Sequence, residues 1–445
     1  MATVTVTPST ALLQALGETE QLTATAHDDD GTAMPGKTFT WGSSDENVAS
    51  VTSEGLVSAI ANGAATITAT TDGVEGSAAV TVEIVATTGG LRFNAMTLGR
   101  NLDPDGYTLI VGGVGTLAIS TNDTVTFGEL DLGTYSVTID GLSANCYRFS
   151  SQPSAVTIVA GDTIDVLLGV ECLDFRGDIA LTYTRRDYTL AQVRIAGQPA
   201  AGGPPEDLTF SPSFDVAPAW SPDGSRLAFS RNEVVMVVNV DGTSLQSFGD
   251  RGPGVGRGTN PAWSPDGMTL AYDDGSNIYV IAVDGTGPHV QLGAGYSPAW
   301  SPDGSQIAFE FDGPSAEPEI FVMNADGSAR LNLTNRPPLL DREPTWSPDG
   351  SQIAFRRLNR GDQNGYELFV MDADGSNQEK LLAIAGPELS PEWLPDNRIL
   401  FVSSDPSGGG YRIFALDLTA GATVAQLTAD GAHYGHSEPS WRPMP

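Results

Sequence analysis

Apolar and polar residues alternate along most of the chain, in short runs. Val4-Thr5-Val6-Thr7, Gln21 to Ala26, Thr38 to Trp41, Ala64 to Ala69 and Ala79 to Glu83 alternate in this way. A period of two puts successive side chains on opposite faces of a strand. Turn formers separate the runs: Asp28-Asp29-Asp30-Gly31, Ser43-Ser44-Asp45 and Asp72-Gly73. Many short strands at this spacing predict a β-sandwich over residues 1–85. The pattern continues through Leu91 to Met96, Tyr107 to Val111, Thr116 to Ser120, Thr124 to Leu130, Tyr135 to Ile139, Ala155 to Val159 and Thr163 to Val170. It predicts a second small β-sandwich over residues 86–173, with Asp103-Pro104-Asp105-Gly106 and Asp140-Gly141 as turns.

Beyond residue 173 a longer period takes over. Pro218-Ala219-Trp220-Ser221-Pro222-Asp223-Gly224 returns at Pro261 to Gly267, Pro298 to Gly304 and Pro344 to Gly350. A degraded copy runs from Pro391 to Asn397, and a truncated one from Pro439 to Pro443. Successive tryptophans are 43, 37, 46, 47 and 48 residues apart. That period belongs to stacked four-stranded units. Ser-Pro-Asp-Gly is a tight turn, with Pro presetting the second position and Gly at the fourth. A strand with a small and an aromatic residue follows: Leu227-Ala228-Phe229, Leu270-Ala271-Tyr272, Ile307-Ala308-Phe309 and Ile353-Ala354-Phe355. A third strand comes next, such as Ile320 to Met323 or Leu368 to Met371. It ends in most copies at an Asp-Gly turn, before a weaker outer strand. Each unit therefore reads A (with the Trp), B, C, D.

The first B-C-D set, near Ile179 to Thr184, Leu190 to Ile195 and Leu208, has no A strand before it. The last A strand, at Trp441, has no B strand after it. Joining the two ends in one unit removes two open sheet edges. The expectation is an all-β chain: two N-terminal β-sandwich domains, then a six-bladed β-propeller over residues 174–445, closed by the C-terminal strand.

The repeat resembles that of TolB-like propellers, over about three fifths of the chain. The resemblance implies a fold and no partner. The family's small α/β domain before the propeller has no counterpart here, and its Tol-Pal partners are not carried over. Related propellers precede serine peptidase domains, but with the chain running to Pro445 no hydrolase domain is expected. The run Trp41-Gly42-Ser43-Ser44-Asp45-Glu46-Asn47-Val48-Ala49-Ser50-Val51, continued by Gly55-Leu56-Val57 and Gly63 to Ala69, resembles the bacterial immunoglobulin-like group 2 domain. That family occurs on secreted and cell-surface proteins as spacer or adhesive modules. Asp103 to Thr108 and Leu132 to Leu142 resemble transthyretin-like or carboxypeptidase-regulatory-like modules.

Asp and Glu number 55 against 22 Lys and Arg, a formal charge of −33. Nucleic acid and anionic membrane both call for basic patches, so neither is expected as a partner. No stretch is long enough to span a membrane. Met1 to Thr5 lacks the regions of a signal peptide, which leaves a removed signal or a cytosolic protein; the Thr-, Ser- and Gly-rich β-domains favour the former. The expected location is extracellular or cell-surface, with the periplasm next.

Cys146 and Cys172 are the only cysteines, and no His or Cys cluster accompanies them. They are expected as a disulfide, with two buried free thiols as the alternative. A disulfide would imply an oxidising compartment.

Catalytic signals are thin: there is no Gly-x-Ser-x-Gly, no His-Glu-x-x-His and no phosphate loop. Propeller geometry supplies better candidates, because the loop entering each A strand approaches the central channel. Ala217, Asn260, Ser297, Glu343, Ser390 and Glu438 immediately precede each Pro-x-Trp, with Asp215, Arg257, Tyr296, Asp341, Arg342 and His436 nearby. The candidate ligand-binding set is Asp215, Asn260, Tyr296, Ser297, Asp341, Arg342, Glu343, His436 and Glu438. Such a ring offers oxygen ligands to Ca2+, at Glu343 and Glu438, or polar contacts to a small ligand. The alternative is a water-filled channel mouth. His433 and His436 in one loop are a weaker metal candidate, and Asp28 to Asp30 reads as a solvated hairpin tip.

Three functions follow as expectations. The first is a non-catalytic extracellular or cell-surface protein, binding a protein or glycan through the propeller. The second is a subunit of an extracellular filament or lattice, assembled from copies head-to-tail. There the Val4 to Thr7 strand would pair with a neighbour, or else serve as its own domain's first strand. The third, on fold analogy alone, is a lyase or hydrolase in the propeller channel.

Overall fold

The computed structural model describes residues 2–99, 101–149, 154–173, 179–187, 192–201, 204–248, 258–313, 317–358, 365–381, 386–404, 410–418, 423–428 and 434–443. Leu190, Arg257 and His433 lie outside them, as do the side chains of Tyr434 and His436. The described residues form strands and turns and contain no helix. The chain divides into two compact units: residues 1–93, 125–136 and 154–166, and residues 94–124, 137–153 and 167–445.

In the first unit the N-terminal strand Thr3–Thr7 pairs antiparallel with Thr23–His27 of its own domain. Alternation puts Val4 and Val6 inward and the threonines outward. A four-stranded sheet orders Thr10–Leu13, Val74–Val82, Gly63–Thr71 and Thr40–Ser43, and a three-stranded one orders Thr19–Gln21, Leu56–Ala59 and Ala49–Val51. The core gathers Leu13, Leu22, Val57, Ile67, Val80 and Val82, with Trp41 packed against it. Gly55 (φ 84°) is required there, since a Cβ would lie 2.6 Å from the Leu22 carbonyl oxygen and 2.8 Å from the Trp41 ring. Asp28 accepts the amide protons of Asp30 and Thr32, which makes the acidic run a hairpin tip.

Two more four-stranded sheets follow. One orders Thr124–Asp131, Thr88–Gly99, Thr163–Cys172 and Cys146–Arg148; the other orders Gly115–Ile119, Tyr107–Val111, Gly133–Asp140 and Ala155–Ile158. Cys146 lies opposite Cys172 on neighbouring antiparallel strands, and the two form a disulfide. On the chain-entropy account closing such a loop stabilises by roughly 3 kcal/mol.

The rest of the second unit is a propeller, in which the described residues form six four-stranded antiparallel sheets, called blades 1 to 6. Blade 1 orders Tyr434–Trp441, Ile179–Asp187, Gln192–Pro199 and Glu206–Asp207 as A to D. The chain's last strand is thus the inner strand of its first blade, with Leu181 opposite Trp441 and Asp187 opposite Tyr434. The A strands of blades 2 to 6 are Asp215–Trp220, Thr259–Trp263, Tyr296–Trp300, Leu340–Trp346 and Leu389–Trp393.

Both faces of each B strand are buried, because a blade stacks on either side. Ala228, Ala271, Ala308 and Ala354, and Phe229, Tyr272, Phe309 and Phe355, are all fully buried. In the Ser-Pro-Asp-Gly turns the serine hydroxyl donates to the aspartate, for example Ser301 Oγ to Asp303 Oδ1 at 2.7 Å. The same carboxylate accepts the Ser305 amide proton at 3.0 Å. Each turn's proline meets the next blade's turn glycine: Pro222 with Gly267, Pro265 with Gly304, Pro302 with Gly350. Pro443 of the truncated copy completes the series against Gly224, where a Cβ would lie 2.2 Å from its carbonyl oxygen. In the degraded copy Asn397 (φ 66°) replaces the glycine, and its amide oxygen accepts the Trp393 indole proton at 2.9 Å.

Candidate functional site

The residue before each Pro-x-Trp adopts the same unusual backbone. Ala217, Asn260, Ser297, Glu343, Ser390 and Glu438 have φ of 52°, 49°, 50°, 54°, 48° and 51°. None is glycine, and each precedes a proline, which also disfavours helical conformations. Strain of this kind costs about 1 kcal/mol or more per residue. In every blade the A–B pairing shifts register at this point. The bulge turns backbone amides out of the ladder and towards the neighbouring blade.

Side chains from the preceding blade meet several of those amides. The Ala217 amide donates to Glu438 Oε2 and Thr184 Oγ1, both at 3.0 Å. Ser297 donates to Asp273 Oδ2 at 3.0 Å, Glu343 to Glu310 Oε1 at 2.8 Å, and Ser390 to Glu343 Oε2 at 2.8 Å. One tier deeper, Trp220 donates to Ser440 Oγ at 3.3 Å, Trp393 to Thr345 Oγ1 at 3.2 Å and Trp441 to Glu392 Oε2 at 3.1 Å. These bonds staple inner strands together around a cavity of about 260 Å3. Its wall is the ring of six strained residues, the prolines after them, and Ala219, Ala262, Thr345, Glu392 and Ser440.

Burial raises four carboxyls here above their ordinary range. Burial raises Glu392 to about 8, opposed only by the Trp441 amide. Burial, then the charge of Glu343, raises Glu310 to about 7, against the pull of Arg342. Burial also raises Glu343, opposed chiefly by Arg356, whose guanidinium lies 2.8 Å from Glu343 Oε1. Asp273 is raised by burial against four hydrogen bonds. Glu343 keeps 29% of its side-chain surface accessible although protein surrounds it, as befits a group facing an internal cavity.

Of the residues expected at the channel mouth, Asn260, Ser297, Glu343 and Glu438 line this cavity. Asp215, Tyr296, Asp341 and Arg342 are not in its wall. Asp215 is fully buried in a two-pronged pair with Arg231, at 2.8 and 2.7 Å. Asp341 makes the same pair with Arg357, at 2.6 and 2.8 Å. Asp215 opens its A strand and Asp341 is second in its own, and their carboxylates are held by arginines of the same blade rather than offered to a ligand. Tyr296 donates its hydroxyl proton to Asp312, and Arg342 pairs with Glu310 at 3.1 Å. His436 contributes backbone pairing with Arg185, and its side chain is outside the description.

For Ca2+, the Glu343 oxygens already serve Arg356 and the Ser390 amide, and Glu438 Oε2 serves Ala217 and Thr184. No group of three or more His, Cys, Asp or Glu suited to a metal occurs among the described residues. Sequence reasoning missed Asp273, Glu310 and Glu392. Their signal was positional: Asp273 and Glu310 follow the B-strand aromatic, and Glu392 is the x of Pro-x-Trp, which is alanine in three copies.

Residues 261–366 match the TolB beta propeller domain. The TolB-like propeller follows residues 1–82, which match the bacterial Ig-like domain (group 2). Among solved structures, putative TolB from Agrobacterium tumefaciens is similar at 22% identity, over 56% of this chain and 88% of that one (TM-score 0.44). TolB from Acinetobacter baumannii is similar at 18% identity, over 60% and 67% (TM-score 0.49). An oligogalacturonate lyase in complex with manganese is similar at 15% identity, over 67% and 74% (TM-score 0.36). No curated protein matches the chain.

Proposed function

We propose that this chain is a non-catalytic binding protein of an oxidising compartment outside the cytoplasm. Its TolB-like propeller takes a cationic group of a partner, such as a lysine or arginine side chain of a protein, into the axial cavity. One observation carries this reading: Glu392. Its carboxyl borders a 260 Å3 cavity, and both oxygens share one backbone N–H, that of Trp441. No cation faces it among the described residues, whereas Glu343 has Arg356 and Asp215 has Arg231. A half-buried carboxyl with so little compensation sits at a cost that an entering cation relieves. The cavity has room for one long side chain, and the chain's net charge of −33 draws a basic partner towards it. The disulfide supports the oxidising compartment.

The test is calorimetric titration with short peptides carrying one lysine, one arginine or neither. Basic peptides should bind, and Glu392→Gln should weaken them at least tenfold while leaving the fold unchanged by circular dichroism. Equal binding of basic and neutral peptides, with no effect of the substitution, would refute the reading.

A further inference from the structure

In the seams between blades 3 and 4 and between blades 4 and 5, the glycine of a C–D turn abuts a backbone carbonyl from the outer strand region of the preceding blade, whereas Gly285 of blade 3 meets nothing within 4 Å. A Cβ at Gly327 would lie 2.9 Å from the Leu292 oxygen, and one at Gly375 would lie 2.7 Å from the Leu333 oxygen. Between blades 1 and 2 the pattern changes hands. There the glycine is Gly242, and the oxygen, 2.0 Å from its would-be Cβ, belongs to Leu173. Leu173 directly follows Thr163–Cys172, the last strand of the second sandwich.

The substitution goes beyond one carbonyl. Leu173 is fully buried in the cluster of Ile195, Leu208, Trp220 and Leu227, which draws on blades 1 and 2. Two residues earlier, Glu171 is also fully buried. It accepts the amide protons of Phe210 and Ser211 and pairs with Arg231 at 2.7 Å. From the neighbouring sandwich strand, the Tyr147 hydroxyl lies 2.9 Å from the Gly242 oxygen and accepts the Leu245 amide proton at 3.0 Å. Tyr147 adjoins Cys146, and Leu173 adjoins Cys172. The disulfide joins the two segments that enter the seam, and Asn145 ties them again by donating to the Leu173 oxygen at 3.1 Å.

We infer that residues 145–148 and 171–173 form a wedge built into the propeller ring, and that the Cys146–Cys172 bond is the clasp that keeps the wedge in shape. Blade 1 is the blade made from both chain ends, so the wedge braces the ring beside its closure. This role is independent of any ligand in the cavity.

Hydrogen exchange on the full chain tests it, comparing wild type with Cys146→Ala/Cys172→Ala and with Tyr147→Phe. Amides of Leu227, Ala228 and Phe229 should exchange roughly tenfold faster in the double variant, with a smaller gain in Tyr147→Phe. Amides of Ile307, Ala308 and Phe309 in blade 4 should not change. Faster exchange confined to the sandwich strands, or an equal gain in blades 2 and 4, overturns the inference. If the double variant does not fold, Tyr147→Phe and Glu171→Gln, which keep the disulfide, decide by the same comparison.

Discussion

Glu310 and Glu392 hold protons near neutral pH that a solvated glutamate, titrating near 4.5, would have lost. The folded state binds those protons more tightly than the unfolded chain. Their contribution to stability is therefore complete below about pH 4.5 and is lost as pH rises through about 7 and about 8. Turn aspartates act in the opposite sense. Asp223, Asp303 and Asp349 are held down to about 2, chiefly by serine hydroxyls and turn amides. Their contribution is present above the ordinary value of 3.8 and is lost as pH falls through about 2. Melting temperature should accordingly fall from pH 6 to pH 9, by the equivalent of roughly 1–3 kcal/mol. Glu392→Gln, neutral at every pH, should flatten that slope in thermal melts. A slope unchanged by the substitution would show that Glu392 is not the group responsible.

Each B strand shows how one small residue sets the distance between blades. Ala308 is fully buried and packs in one cluster with Trp346 and Phe355 of the next blade. Ala308→Leu should destabilise by about 1–3 kcal/mol, read as a lower denaturation midpoint, as expected for overpacking. The A strand departs from ideal geometry at one residue, and it does so in all six blades. The residue types there (Ala, Asn, Ser, Glu, Ser, Glu) follow no propensity for positive φ beyond Asn260. The turn after it was legible because Ser, Pro, Asp and Gly each act through local geometry. The strained residue before it was not, because its amide is satisfied by a side chain some 25 to 220 positions away, as with Asp273 for Ser297 and Glu438 for Ala217.

Closure of the ring concentrates long-range contacts in the last strand. Trp441 faces Leu181, Glu438 caps Ala217, and Arg442 Nε donates to the Gly224 oxygen at 2.8 Å. Deleting residues 434–445 would leave Ile179–Asp187 as an open edge and remove the stacked Trp441 at once. The truncated chain should aggregate, or elute as a mixture of oligomers in light scattering, where the full chain gives one species. At the other end, Thr3–Thr7 is already paired with Thr23–His27, so the expectation that it bridges to a neighbour gives way to the ordinary one. Exchange with another chain would first require breaking five residues of antiparallel pairing.

The amino-acid sequence by itself determined the all-β class, the propeller repeat, the Ig-like start and the joining of the two chain ends. All of these rest on local rules: alternation, turn chemistry and a period set by one four-stranded unit. Four of the nine expected channel residues, Asn260, Ser297, Glu343 and Glu438, line the cavity, because a repeat carries its geometry from copy to copy. Only the tertiary structure decided which carboxylates face the cavity and which are spent on arginines. Asp215 and Glu343 are both acidic residues within three positions of a Pro-x-Trp, yet one is fully buried on Arg231 and the other, though paired with Arg356, opens to the channel. It also decided that Leu173, the last residue of the expected second sandwich, packs among residues of blades 1 and 2. Burial and pairing depend on residues brought from distant positions, and no local pattern encodes those.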